Sequence, residues 1–250
     1  MVDIYRQDDK YCQRFRIPCY ETDGEFRLKA SSFMDMAQEI AYWAARMLGF
    51  GYDDLQTHHT AWVLSRMHFH YTEAPKWRDE VVLKTWHKGA DGAFYLRDFR
   101  LESPEGRRYV ECTSSWLVID MDSRHIVRDP AVAGLVPAEG MAVEHAIEEP
   151  CPKLSVPAGI ELEQAASHRV GYSDIDFLGH TNNACYMVWA MDCIDYDTAA
   201  SKCVKDVYIN FNRETRAGDT VQLRRAADGG TYYIDGLVNG KSAFCIRIEL

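Results

Sequence analysis

Residues 173–183 bring two carboxylates, an imidazole and two amides together in Ser173-Asp174-Ile175-Asp176-Phe177-Leu178-Gly179-His180-Thr181-Asn182-Asn183. An imidazole titrates near neutral pH, so His180 and a nearby carboxylate can share acid–base work. Asn182 and Asn183 are good helix N-caps and precede Ala184, Cys185, Val188, Ala190, Met191 and Ile194, which predict a helix. The cluster therefore lies at a helix N-terminus, whose amides and dipole can polarise a carbonyl oxygen. Gly179 permits the tight turn that leads in. The competing reading is structural: a capped turn whose Asp and Asn side chains satisfy backbone amides. On pattern alone that reading is the commoner one, and Asp174 fits it better than it fits catalysis.

The surrounding elements must place this turn. A first helix follows from Phe33, Met36, Ala37, Ile40, Ala41, Ala44 and Leu48, with Ser32 and Asp35 as a capping-box-like start and Gly49 as the stop. Its stripe is mostly small, as a helix lying close on a sheet requires. Four strands are predicted after it, at 62–72, 80–87, 94–102 and 107–121, and four after the second helix, at 205–212, 220–225, 231–238 and 241–248. Asn239-Gly240 is a strong two-residue hairpin signal. Between the copies, residues 129–157 carry Pro130, Pro137, Pro150, Pro152 and Pro157 and little periodicity, which reads as a surface crossing.

The chain thus reads strand, helix, antiparallel meander, then the same again. That order predicts α+β rather than βαβ alternation. A long helix wrapped by an antiparallel sheet, duplicated in one chain, is a double hot-dog, with expected units at 1–135 and 164–250 joined by 136–163. The copies also align locally. Setting Asp23 against Asp176 places Arg27 where the second copy has His180, so the first copy lacks the Gly-His-x-Asn-Asn run.

The 250 residues are 47% hydrophobic and 26% charged, with 28 basic and 38 acidic side chains and a net charge of −10. Wholesale disorder is excluded, and general binding to nucleic acid or anionic membrane is disfavoured. No apolar stretch approaches the roughly 18–20 residues a spanning helix needs. The N-terminal residues show no secretory h-region, which predicts a cytoplasmic protein with reduced thiols. The eight cysteines form no C-x-x-C and no zinc-spaced cluster, and no metal or cofactor is expected.

Asp174 through Tyr186 spells D-x-D-x-x-G-H-x-N-N-x-x-Y, which resembles the signature of hot-dog thioesterases of the 4-hydroxybenzoyl-CoA type. The whole chain resembles the acyl-acyl-carrier-protein (acyl-ACP) thioesterases of plants and bacteria. Trp62-Val63-Leu64-Ser65-Arg66-Met67, Pro75-Lys76-Trp77-Arg78-Asp79 and Ser114-Ser115-Trp116-Leu117-Val118 through Ser123-Arg124 are similar to its first-domain motifs. Asn212-Arg213-Glu214-Thr215 is similar to its second catalytic segment. The resemblance implies Asp176, His180 and Glu214 as catalytic residues, Glu214 as the activator of water, and Asn182, Asn183, Trp62 and Arg66 as substrate contacts. Two departures stand out. Leu178 replaces the asparagine of plant members, and Thr215 stands where a cysteine nucleophile was once proposed, so a Cys–His–Asn triad is absent at these positions.

A water-based thioester hydrolysis follows, with Glu214 or Asp176 taking the proton from water, helix-end amides near Asn182 polarising the carbonyl, and the tail held by the first half. Met34, Met36, Ala37, Ala41, Ala45, Val63, Met67 and Phe69 are equally fit for an acyl slot and for an ordinary core. The implied partner, acyl carrier protein, is acidic. Residues 201–250 hold eight basic and six acidic side chains, a local +2 that leaves −12 on the rest of the chain, and Arg213 and Arg216 are the first docking candidates. An acyl-CoA thioesterase of the same fold and a non-catalytic acyl-binding protein are the alternatives. The sequence is compatible with a homodimer but sets no oligomeric state.

Overall fold

The structure is a computed structural model that describes residues 3–127 and 144–250. Pro130, Pro137 and the expected boundary at 135/136 lie outside the described residues. Eleven strands form one antiparallel sheet among the described residues. They are β1 (Ile4–Gln7), β2 (Lys10–Arg16), β3 (Thr60–Tyr71), β4 (Glu80–Asp91), β5 (Phe94–Glu102) and β6 (Arg108–Asp120), then β7 (Glu163–Arg169), β8 (Asp206–Phe211), β9 (Thr220–Asp228), β10 (Thr231–Val238) and β11 (Lys241–Glu249). The helices are α1 (Ala30–Met47), α2 (Tyr52–Gln56), α3 (Asn183–Asp192) and α4 (Tyr196–Ser201).

The strand order is β1-β2-β4-β5-β6-β3-β8-β11-β10-β9-β7. Read outward from the centre, β3-β6-β5-β4-β2 and β8-β11-β10-β9-β7 have the same connectivity, which is the duplication in structural form. The fold is α+β, a double hot-dog. Its halves meet at the β3–β8 ladder, running from Arg66↔Asn210 to His70↔Asp206. At that seam the rings of His68 and His70 each lie 3.0 Å from an Asp206 oxygen.

α1 buries Phe33, Met34, Ala37, Ile40, Ala41, Ala44 and Ala45, a helical stripe that lies on the sheet. Each large side chain in it contributes roughly 1.5–3 kcal/mol of burial. The helix starts earlier than the capping-box reading placed it. Its N-cap is Lys29, with no side-chain cap, and Ser32 is buried in the first turn. The reason is tertiary: Lys29 N–H donates to Glu21 O and Leu28 N–H to Pro75 O, which set the start without a capping side chain. The C-terminus follows the sequence signal. Gly49, at φ +81°, donates to Arg46 O while Phe50 N–H reaches Ala45 O, a Schellman closure that the left-handed glycine permits. The β10–β11 hairpin turns at Asn239 and Gly240, both at positive φ, as the dipeptide predicts.

Candidate active site

The two copies of the duplicated turn superpose bond for bond. In the second, Asp176 Oδ1 accepts from Leu178 N–H (2.9 Å) and His180 N–H (3.3 Å), and Asp176 N–H donates to His180 O. In the first, Asp23 Oδ1 accepts from Glu25 and Arg27 N–H, and Asp23 N–H donates to Arg27 O. Gly179 and Phe26 hold the corresponding positive-φ position, at +78° and +64°. Thr181 N–H to Thr215 O in one copy matches Leu28 N–H to Pro75 O in the other. By that register Ala74 stands where the second copy has Glu214, and Arg27 where it has His180.

Arg27 is turned to a structural task. Its guanidinium binds Asp23 at 2.8 Å and donates to the carbonyls of Ala200 and Lys202 at the end of α4, tying the halves together. The second copy has the reactive pair instead. His180 Nε2 lies 3.0 Å from Glu214 Oε2, and Glu214 Oε1 is held by Arg124 from the first half. Arg216 lies 3.6 Å from Glu214 and 3.4 Å from His180. Burial, then Arg216 and Arg124, push the imidazole below its ordinary pKa range, with Asp176 opposing. A neutral imidazole facing a carboxylate donates its Nε2–H, which leaves Nδ1 as an acceptor.

Asp176 does not contact the imidazole by hydrogen bond or ion pair among the described residues; its carboxylate organises the backbone that presents it. Asp174 is buried and accepts from Gly171 N–H, with His168 Nε2 2.9 Å away, in keeping with the cap reading. Asn182 caps α3 by accepting from Ala184 N–H, and its amide also donates to Asp35 on α1. Asn183 donates to Gln38 Oε1, and Gln38 to Asn182 Oδ1. This amide network pins the start of α3 to α1 across the two halves. Burial raises the Asp35 carboxyl above its usual range, with the Asn182 amide pulling the other way. Asn183 N–H, at the first position of α3, has no hydrogen-bond acceptor among the described residues.

A cavity of about 1050 Å³ opens from this cluster into the first half. Asp176, His180, Asn182, Asn183 and Glu214 line its mouth, and Trp62, Tyr95 and Trp116 of the sheet with Ala41 and Ala45 of α1 line its interior. Of the residues read as fit for an acyl slot, Ala41, Ala45 and Val63 line it, whereas Met34, Ala37, Met67 and Phe69 belong to the core and Met36 packs against it. Arg66 is outside the cavity lining. Its Nη1 donates to Cys151 O and its guanidinium rests 4.9 Å from the Phe94 ring, because a bulge between Leu64 and Arg66 breaks the even spacing that would otherwise put it on the face of Trp62. Sequence reasoning left Arg124, Asp35 and Gln38 unassigned. Arg124 lay inside a quoted motif, but the 90 residues between it and Glu214 carry no local signal of the contact.

Two family models match the chain, the acyl-ACP thioesterase N-terminal domain over residues 8–131 and the acyl-ACP thioesterase C-terminal domain over residues 159–242. The chain belongs to the acyl-ACP thioesterase family. Among curated relatives of this family, a chloroplastic oleoyl-acyl carrier protein thioesterase of Coriandrum sativum is 25% identical over 233 residues, 84% of this chain and 61% of that protein. The chain thus spans about three fifths of such a relative's length. Solved structures share the fold. An acyl-ACP thioesterase from Bacteroides thetaiotaomicron aligns with TM-score 0.80 at 21% identity, covering 96% of this chain and 97% of that one. A 12:0-ACP thioesterase from Umbellularia californica aligns with TM-score 0.83 at 20% identity, covering 98% of each.

Within this acyl-ACP thioesterase family member, Thr215 is fully buried and its hydroxyl is enclosed by Thr181 Oγ1 (2.6 Å) and Tyr186 Oη (3.0 Å). Tyr186 also accepts from Thr215 N–H. Thr215 is therefore a strut under Glu214, pointed away from the cavity's reactive groups. Leu178 sits at the mouth and contributes its backbone N–H to the Asp176 turn.

Proposed function

We propose that this protein hydrolyses the thioester of a fatty acyl group carried on acyl carrier protein, releasing the free fatty acid and ending chain elongation. The observation that carries this reading is the His180–Glu214 pair at a helix N-terminus, on the mouth of a large apolar-walled cavity. Glu214 takes a proton from water, and the resulting hydroxide adds to the thioester carbonyl carbon. The negative charge that develops on the carbonyl oxygen faces the start of α3, where Asn183 N–H is available. Collapse of the tetrahedral adduct expels the carrier thiolate, which receives the proton from Glu214. His180 orients Glu214 through Nε2, Asp176 shapes the turn that presents His180, and Arg124 steadies the other carboxylate oxygen. A thiolate is a good leaving group, so no covalent nucleophile is required. The first unit, residues 1–135, holds the tail, the second, 164–250, carries the reacting groups, and 136–163 joins them. The proposed substrate contacts are Asn182, Asn183 and Trp62.

Every group in this scheme comes from one chain, so a homodimer is not needed to complete it. No helix of the described residues is long and apolar enough to cross a membrane. We place the activity in the cytoplasm, where the eight free cysteines would stay reduced. The test is release of free thiol and fatty acid from acyl-ACP, compared with acyl-CoA of equal chain length. Equal rates on the two carriers would favour the CoA alternative, and binding without thiol release the non-catalytic one.

Two further outcomes follow. Arg213 is exposed at the cavity mouth and forms no ion pair among the described residues. Arg213→Glu should raise KM for acyl-ACP by about tenfold with little change in kcat, and high salt should erase the difference. The acid limb of kcat/KM should lie below the ordinary histidine range, since a protonated His180 would ion-pair with Glu214 and sap the basicity it needs toward water, and burial with the arginines holds the imidazole pKa down. Arg216→Ala removes one of those cations, so the limb should move to higher pH. A limb that stays put would separate His180 from the rate-limiting ionisation.

A further inference from the structure

The cavity wall contains a cation that the reaction above does not use. Along β5, Tyr95 and Arg97 line the cavity while Phe99, next on the same face, belongs to the core. Arg97 is only 6% exposed. Its guanidinium makes one hydrogen bond, from Nη1 to Thr85 Oγ1 at 3.2 Å, and no carboxylate lies within ion-pair reach among the described residues. The other buried arginine of this strand, Arg100, shows the usual arrangement, paired with both Glu111 and Glu144. Burial lowers the Arg97 pKa to about 10, which leaves it a cation at neutral pH. A guanidinium has five N–H donors. The unbonded ones of Arg97 are not among the buried side-chain nitrogens sealed off without a partner, so they open onto the cavity that Arg97 lines.

We propose that Arg97 is a specificity-determining residue at the acyl end of the cavity, a polar floor that stops a plain hydrocarbon tail and admits one bearing an oxygen acceptor. The inference rests on the acyl-thioester reading. A methyl terminus pushed against Arg97 strips water from the open donors and offers nothing in return, which leaves a buried charge underbonded. A hydroxyl or carboxylate at the same depth restores the lost bond, and does so with charge assistance. An apolar floor discriminates only modestly for each added methylene, whereas a floor that demands a hydrogen bond rejects the tail lacking it steeply.

The test uses the full chain and two series of acyl-ACPs of increasing length, one plain and one ω-hydroxylated. For the wild type, kcat/KM on plain chains should fall by at least about thirtyfold at the first length that reaches the floor, and the ω-hydroxy chain of that length should recover about tenfold. R97M should extend the plain series by two carbons or more and bring the hydroxy-to-plain ratio near one, while R97K should keep the wild-type profile. An unchanged profile in R97M, or a wild type with no hydroxyl advantage at any length, overturns the proposal. Should R97M fail to fold, the wild-type series decides alone. Affinities of matched plain and ω-hydroxy fatty acids, read by quenching of Trp62 and Trp116 in the cavity wall, give the same comparison without turnover. A protein that hydrolyses no acyl-ACP would therefore overturn the activity reading, with the floor still judged by those affinities.

Discussion

Glu214→Gln is expected to lower kcat for acyl-ACP hydrolysis by about 10²–10⁴-fold, the range a positioned general base supplies. The substitution keeps the side chain's size and its ability to accept a hydrogen bond, so the loss would report on the basicity of one carboxylate. His180→Ala should cost a similar factor, because Glu214 then loses the 3.0 Å partner that orients Oε2, and Arg216 is left to pair with that oxygen. The double variant should be little slower than either single one, as groups that act as a unit are not additive. Asp176 separates turn from chemistry. Asp176→Asn can retain an amide oxygen for Leu178 and His180 N–H and should keep far more activity than Asp176→Ala, which frees the turn. Thiol release from acyl-ACP, followed alongside circular dichroism, measures all five variants. A Glu214→Gln protein within about threefold of wild type would remove the general base from the scheme.

Gly236→Ala should cost about 3 kcal/mol of stability, at the upper end of overpacking effects. Its added methyl would lie 2.1 Å from Phe244 Cε1 and 2.5 Å from Cζ, inside a ring that is fully buried. Phe244 cannot swing aside freely, since its ring packs against Tyr186 at 4.8 Å between centroids and Trp189 at 6.4 Å. Tyr186 in turn bonds both the hydroxyl and the N–H of Thr215, next to Glu214. Displacing Phe244 therefore loosens the strut under the reactive carboxylate. Denaturant unfolding should show the loss of stability, and kcat should fall with it. A variant as stable as wild type would mean that the β10–β11 pair relaxes around the methyl at no cost.

The fold was legible wherever one residue pattern dictates one geometry. β3 to β6 and β8 to β11 are runs of β-branched and aromatic residues bounded by turn signals, and the Asn239-Gly240 and Gly49 signals demand left-handed backbone that few other residues adopt comfortably. β7, EQAASHR, is an edge strand with little buried surface, and such a strand has no reason to alternate. The early start of α1 escaped because backbone carbonyls of Glu21 and Pro75, rather than a capping side chain, set it. Arg66 escaped for a related reason. Alternation puts Trp62 and Arg66 on one face, and only the pairing with β6 reveals the bulge between Leu64 and Arg66 that separates them.

The sequence by itself determined that the turn from Ser173 to Asn183 exists, that it leads into a helix, and that an earlier copy of it has Arg27 in place of His180. Local hydrogen bonds within a few residues suffice for that, and chain proximity makes them certain partners. Only the tertiary structure decided what the imidazole meets. Glu214 arrives from the end of β8, Arg124 from beyond β6 in the other half, and Asp35 and Gln38 from α1. Those contacts depend on the strand order and on the β3–β8 seam, and no spacing along the chain encodes them. Tertiary packing likewise leaves Arg97 without a carboxylate among the described residues at the wall of the cavity, while three residues along the strand Arg100 has two.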